Sequence, residues 1–216
     1  MINVTEISLV LILLSVLLSL ASSRLVALVK IMAAQGILVS LLPLFLQHFS
    51  NMGSGGLIFF QVMILIKGVL IPGLLFIALK RVVIRREIEP IIGYHASLFA
   101  GLIIILISVY MTNRLASLSV DNAMLLTTAI TTISAGFFLM MSRRKAITQV
   151  IGYLMLENGI YMVGTALTKH SHTVYVIEFG VLLDLLVGVM IMGIILNNIN
   201  HAFDDIDTDL LNRLKD

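Results

Sequence analysis

Cysteine is absent from all 216 residues, and its absence removes disulfides, thiolate-bound iron–sulfur clusters and cysteine-type zinc sites from this chain. Redox chemistry in its vicinity therefore belongs to another polypeptide. Charge is scarce too, with 12% of residues charged and a formal balance of +2. The basic residues fall in short clusters between apolar runs, so they report topology and give no footing to a nucleic acid. The glycine-rich GSGG follows no strand and opens no phosphate loop, which leaves nucleotide binding without support. No Ser/His/Asp arrangement with an aqueous site is visible. The histidines at 48, 95, 170, 172 and 201 lie at or near helix ends. His170 and His172 have no carboxylate or cysteine close by, so they do not make a metal site.

What is present in abundance is hydrocarbon. With 59% hydrophobic residues and a mean hydropathy of +1.09, no soluble fold of this length could hide the apolar surface. The chain reads as an all-α, polytopic transmembrane helix bundle. Apolar runs of spanning length lie at about 4–21, 25–48, 57–79, 91–112, 122–141, 146–168 and 174–198, which predicts seven spans. The first lacks a basic n-region and approaches the ~20 residues of a spanning helix, so it is expected to be a retained helix and not a signal peptide. The breaks make chemical sense: SSR at Ser22–Arg24, the loop SNMGSGG at Ser50–Gly56, a charged connector Lys80–Pro90 ending in a helix-starting proline, and N-cap candidates at Asp121 and Asn122. The twelve methionines and the Leu/Ile excess are packing and lipid-facing material.

Seven spans place Arg24, Lys80, Arg81, Arg85, Arg86, Arg143, Arg144, Lys145, Arg213 and Lys215 on one side, against Arg114 and Lys169 on the other. The positive-inside rule then predicts an N-terminus outside and a C-terminus in the cytoplasm. The tail 201–216 carries Phe203, Ile206 and Leu210 at helical spacing among aspartates, and is expected to be a short cytoplasmic helix lying against a partner.

Three ionisable residues remain deep in the apolar spans. At ~1.5 Å per residue, Lys67 lies roughly 15 Å into the third span, Glu157 about 16 Å into the sixth and Asp184 about 15 Å into the seventh. All three are expected near the midplane of a ~30 Å hydrocarbon core, where an ionisable group is a functional-site hypothesis by default. A lateral proton path needs titratable groups at one depth, whereas scattered structural residues do not. Supporting groups surround them. Glu157 shares its helix face with Tyr153 and Tyr161, and Asn158 adjoins it. Gly180 and Gly188 flank Asp184 at i−4 and i+4. Pro72 removes a donor one turn beyond Lys67 and predicts a kink or bulge there. Gln61 lies nearer the outer face of the same span. Lys30, with Gln35 one turn deeper, suggests the start of a proton access path, although Lys30 can also snorkel to the interface. Glu178, about four residues into the seventh span, reads as interfacial. Against each functional reading stands a structural one, since charges in membranes do pair.

The segment RRKAITQVIGYLMLENGIYMVG resembles the hydrogenase-4 component E family, a membrane subunit of group 4 nickel–iron hydrogenase and formate hydrogenlyase complexes. EFGVLLDLLVGVMIM, MILIKGVLIPGLL and the chain length fit the same family. The last three spans are also similar to the K-type small subunit of complex I and the C-type subunit of multisubunit cation/proton antiporters. The resemblance implies four N-terminal spans over 1–118, a K-type-like three-helix unit over 119–200 and the tail over 201–216. It implies a subunit that is not an enzyme by itself and has no cofactor of its own, in the inner (cytoplasmic) membrane. Nickel–iron and iron–sulfur centres would reside in partner subunits. Antiporter-like membrane subunits and the proton-channel or anchor subunit would flank it. LLDLLVGV matches the later carboxylate motif of the K-type relative, with Asp184 in the place of a glutamate. In the earlier motif the carboxylate is displaced three residues to Glu157, a ~60° rotation and about 4.5 Å of depth on a helix. The expected role is a proton relay through Glu157, Asp184 and Lys67. A structural subunit that only joins antiporter-like modules is the competing expectation. A free-standing seven-helix receptor or retinal protein is disfavoured by the absent tryptophan and a lysine beside a proline kink.

Overall fold

In hydrocarbon every backbone N–H and C=O must be bonded inside its own segment, so apolar runs of spanning length become helices. The computed structural model describes residues 4–46, 61–80, 91–115, 122–167 and positions 187, 188, 190, 191 and 193. Six long helices fill them: α1 Val4–Ala21, α2 Leu25–Leu46, α3 Gln61–Lys80, α4 Tyr94–Arg114, α5 Ala123–Ser142 and α6 Ala146–Leu167. Five of them, α1 to α5, are long and apolar enough to cross a membrane, and this is a multi-pass membrane protein. The sixth has 22 residues and carries Gln149, Glu157 and Asn158 along its length. Beyond it, Val187, Gly188, Met190, Ile191 and Gly193 are helical. Val187 and Ile191, one turn apart, are fully buried in the core.

Local chemistry sets the ends. The Asn122 side chain accepts a hydrogen bond from the Leu125 N–H at 3.1 Å, so the N-cap of α5 is where the sequence put it. The α1–α2 turn falls at Ser22–Arg24 as expected. The fourth helix differs, starting at Tyr94 behind Gly93 and not at the proline. Residues 91–93 are held out of the helix by longer-range bonds: the Ile91 N–H donates to the Ser142 carbonyl at 3.0 Å and the Ile92 carbonyl accepts from Arg143.

Contacts between helices define two layers. One row runs α4, α1, α2, α3; the pair α5, α6 lies across it, with α5 on α1 and α4, and α6 on α2. The tightest interface is α5 against α6, because glycines let the two backbones touch. A Cβ added at Gly136 would sit 2.6 Å from the Leu156 nitrogen and 2.7 Å from the Gly152 carbonyl oxygen. One added at Gly159 would meet the Ile133 nitrogen at 2.7 Å. Such close crossings replace the hydrophobic drive that lipid does not supply between helices. The outer row shows its apolar face to the surroundings, as Phe99 and Leu106 of α4, each 70% exposed, illustrate.

The core itself is divided. One apolar cluster gathers Val16, Leu20, Leu25, Leu28, Ile71, Leu75, Leu139 and Val150 at one end; another gathers Leu9, Ile12, Val39, Leu42, Met63, Leu125 and Met162 at the other. In five helices, buried polar positions fall between the members of the two clusters. Ser15 lies between Ile12 and Val16, Gln35 between Met32 and Val39, Lys67 between Met63 and Ile71. Thr131 and Thr132 lie between Ala129 and Ala135, and Glu157 and Asn158 between Met155 and Tyr161. The bundle thus carries a polar stratum at mid-height, holding Lys67, Glu157, Asn158 and Gln35 between the two apolar clusters, while buried hydroxyls such as Ser8, Ser19, Ser40 and Ser142 occur above and below it.

Candidate functional site

Lys67 owes its position to a break in helix α3. Pro72 has no N–H to donate, and upstream of it the ladder widens into a π turn over Ile66–Leu70, in which the Ile71 N–H reaches back to the Ile66 carbonyl. Such single π turns recur at functional sites because they offset the register of the residues they contain. Gly36 of α2 makes room for the turn, since a Cβ there would lie 3.2 Å from both the Lys67 Cβ and its carbonyl oxygen.

Across the interface, α6 presents Glu157, Asn158 and Tyr161 within little more than one turn. The Lys67 ammonium donates to Glu157 Oε1, forming a salt bridge, and to Asn158 Oδ1 at 3.2 Å. It also lies 5.8 Å from the centroid of the Tyr161 ring, within cation–π range. Both partners are almost wholly excluded from the surroundings, at 3% and 1% side-chain exposure. Two opposite charges in direct contact remove most of the penalty that either would suffer alone in this medium. Beside them, Met32, Gly36, Lys67, Ile71, Pro72, Leu75, Leu154 and Asn158 line a partly open cleft of about 10 Å³, room for about one water.

The structure brings Lys67, Glu157, Asn158 and Tyr161 together. Tyr153, one turn before Glu157, is half-buried against the first apolar cluster. Gln61 is exposed at the start of α3, away from the pair. Lys30 and Gln35 part company: the lysine is exposed and the glutamine wholly buried, because five residues of helix turn them to different faces. Asp184 and Glu178 lie outside the described residues. Among the described residues no three His, Asp or Glu side chains converge as a metal site.

Sequence reading passed over Arg143. Taken there as one of a cytoplasmic basic cluster, it is 1% exposed. Its guanidinium stacks 4.4 Å from the centroid of the Tyr94 ring and donates to the Leu20 carbonyl at 2.9 Å and the Ile92 carbonyl at 3.0 Å. A cation at the C-terminal ends of α1 and α5 is well placed against their dipoles. It also fixes the ends of α1 and α5 and the start of α4 at one end of the bundle. The stratum's hydroxyls were passed over as well, although TTAITTIS puts threonines one turn apart. Ser15, Thr131 and Thr132 donate to carbonyls of their own helices at 2.6, 2.8 and 2.7 Å. Their oxygens keep acceptor capacity toward the interior.

No protein-family model matches the chain, and no solved structure matches it. It is similar to a Mycobacterium tuberculosis protein described as "Uncharacterized protein Rv0085", with 29% identity over 195 residues that cover 88% of this chain and 86% of that protein.

Proposed function

We propose that this protein is a non-catalytic membrane-arm subunit of a redox-driven, proton- or sodium-translocating hydrogenase complex, in which Glu157, Lys67 and Asp184 belong to a lateral relay near the midplane. Seven spans, an outside N-terminus, a cytoplasmic C-terminus and a place in the inner membrane are parts of the same reading. The observation that carries it is the buried Lys67–Glu157 pair inside a polar stratum flanked by apolar halves. A pair that need only hold helices together has no use for polar companions on other helices at its own depth, whereas a charge that shifts sideways does. When Glu157 takes up a proton, the neighbouring ammonium loses its counter-charge, so the charge state of one member of the pair bears on the other. The antiporter-like and anchor subunits named by the sequence resemblance would receive that charge.

The test is Glu157→Gln and Asp184→Asn in the assembled complex. Loss of ion translocation per turnover with redox activity retained is expected. Normal translocation in an intact complex would remove these residues from the path. A second reading, a packing subunit that joins antiporter-like modules without conducting, draws on the Gly136–Gly152 backbone contact and the Arg143 clamp. It predicts that the same substitutions lower complex yield and leave coupling intact.

A further inference from the structure

Lys30 has no part in the buried pair. It is the sixth residue of α2 and its side chain is exposed. Gly36, six residues further on, packs on the Lys67 backbone, so at ~1.5 Å per residue Lys30 stands about 9 Å from the level of the pair, toward the end of the bundle where α1 turns into α2 and α3 stops. At that end Arg24 and Lys80 are exposed as well. None of these three side chains makes an ion pair or a hydrogen bond with a described residue. Among the described residues the carboxylates are Glu6, at the start of α1, and Glu157, already joined to Lys67. An ammonium exposed inside an apolar span is costly unless its stem snorkels to the polar boundary and meets an anion there.

The surface around Lys30 suits a lipid. Helix α2 is flanked by α1 and α3 and covered by α6, so the side it leaves exposed faces the surroundings. Ala27, Lys30 and Ala34 share that side at helical spacing, and their small neighbours make a shallow apolar strip between the exposed Leu18 of α1 and Ile77 of α3. We propose that this strip seats one anionic phospholipid, with its phosphodiester among Arg24, Lys30 and Lys80 and an acyl chain running past Ala34 toward the midplane. A zwitterionic lipid carries the same phosphate but covers it with its own cation, so the three basic groups select a headgroup of net negative charge. Each such group near the membrane surface strengthens association about fivefold.

The test is the association of nitroxide-labelled phosphatidylglycerol with the full chain in phosphatidylcholine nanodiscs, compared by electron spin resonance with nitroxide-labelled phosphatidylcholine. Phosphatidylglycerol should be preferred, Lys30→Gln should weaken that preference about fivefold, and Lys30→Arg should keep it. Arg144→Gln removes the same charge at the α5–α6 junction, away from the strip, and should leave most of the preference in place. Should Lys30→Gln fail to fold, Arg24→Gln carries the same expectation. Equal association of the two lipids would overturn the proposal. So would an equal loss in Arg144→Gln and Lys30→Gln, because the attraction would then belong to the basic end as a whole. Displacement of the labelled lipid by inorganic phosphate would overturn it too, since the cations would then be a site for a free anion.

Discussion

Removing half of the Lys67–Glu157 pair should harm the protein more than removing all of it. Lys67→Met strands a carboxylate in the interior and should destabilise the fold by about 3–5 kcal/mol, whereas Lys67→Met combined with Glu157→Leu should recover most of that loss. Denaturant unfolding in detergent across the four-member cycle measures the difference, and additive single effects would mean that the two side chains do not meet. The sequence disclosed this site only in part. Helix arithmetic put Lys67 and Glu157 at one depth, because rise per residue is nearly constant. It named Asn158 as a neighbour of Glu157 but did not say that Lys67 and Glu157 would face each other or that Asn158 would reach the lysine, since that depends on how α3 and α6 are rotated against α2. Arg143 was illegible for a related reason: nothing near it in the chain reveals that its acceptor is a carbonyl 123 positions earlier.

At the scale of helices, the α5–α6 crossing is where a single methyl group matters. In Gly136→Ala the added carbon would meet backbone atoms at 2.6 and 2.7 Å, and backbone in a packed helix cannot step aside as a rotamer can. A loss of about 2 kcal/mol or more is expected. Gly73 of α3 has nothing within 4 Å of an added Cβ, so Gly73→Ala should be neutral or stabilising by roughly 0.5–1 kcal/mol. Thermal unfolding of the two variants side by side decides the matter, and equal effects would show that α5 and α6 do not touch through Gly136. The six described helices were legible from hydropathy, and Pro72 signalled the break that became a π turn. The late start of α4 was not legible, because bonds from Ser142 and Arg143 outweigh the helix-starting tendency of Pro90.

For the whole molecule, sidedness follows from which helix ends meet. Arg143 ties the end of α1 to the start of α4 and the end of α5, so the turn at Ser22–Arg24 shares one face of the bundle with Arg143–Lys145, while Arg114 ends α4 at the opposite face. Because the chain has no cysteine, reporter thiols can be introduced without background. On the proposed orientation, Ser23→Cys should be modified by an impermeant reagent only from the cytoplasmic side and Asn113→Cys only from outside. Labelling of both from one side would break the topology. The Arg143 anchorage also dictates a sequence of events during synthesis. The Leu20 carbonyl at the end of the first helix and the Ile92 carbonyl before the fourth stay without this donor until the fifth span has been made, since the guanidinium is translated last among its partners. Maturation of the fold is therefore tied to elongation past residue 143, and the early spans acquire their final neighbours only in retrospect.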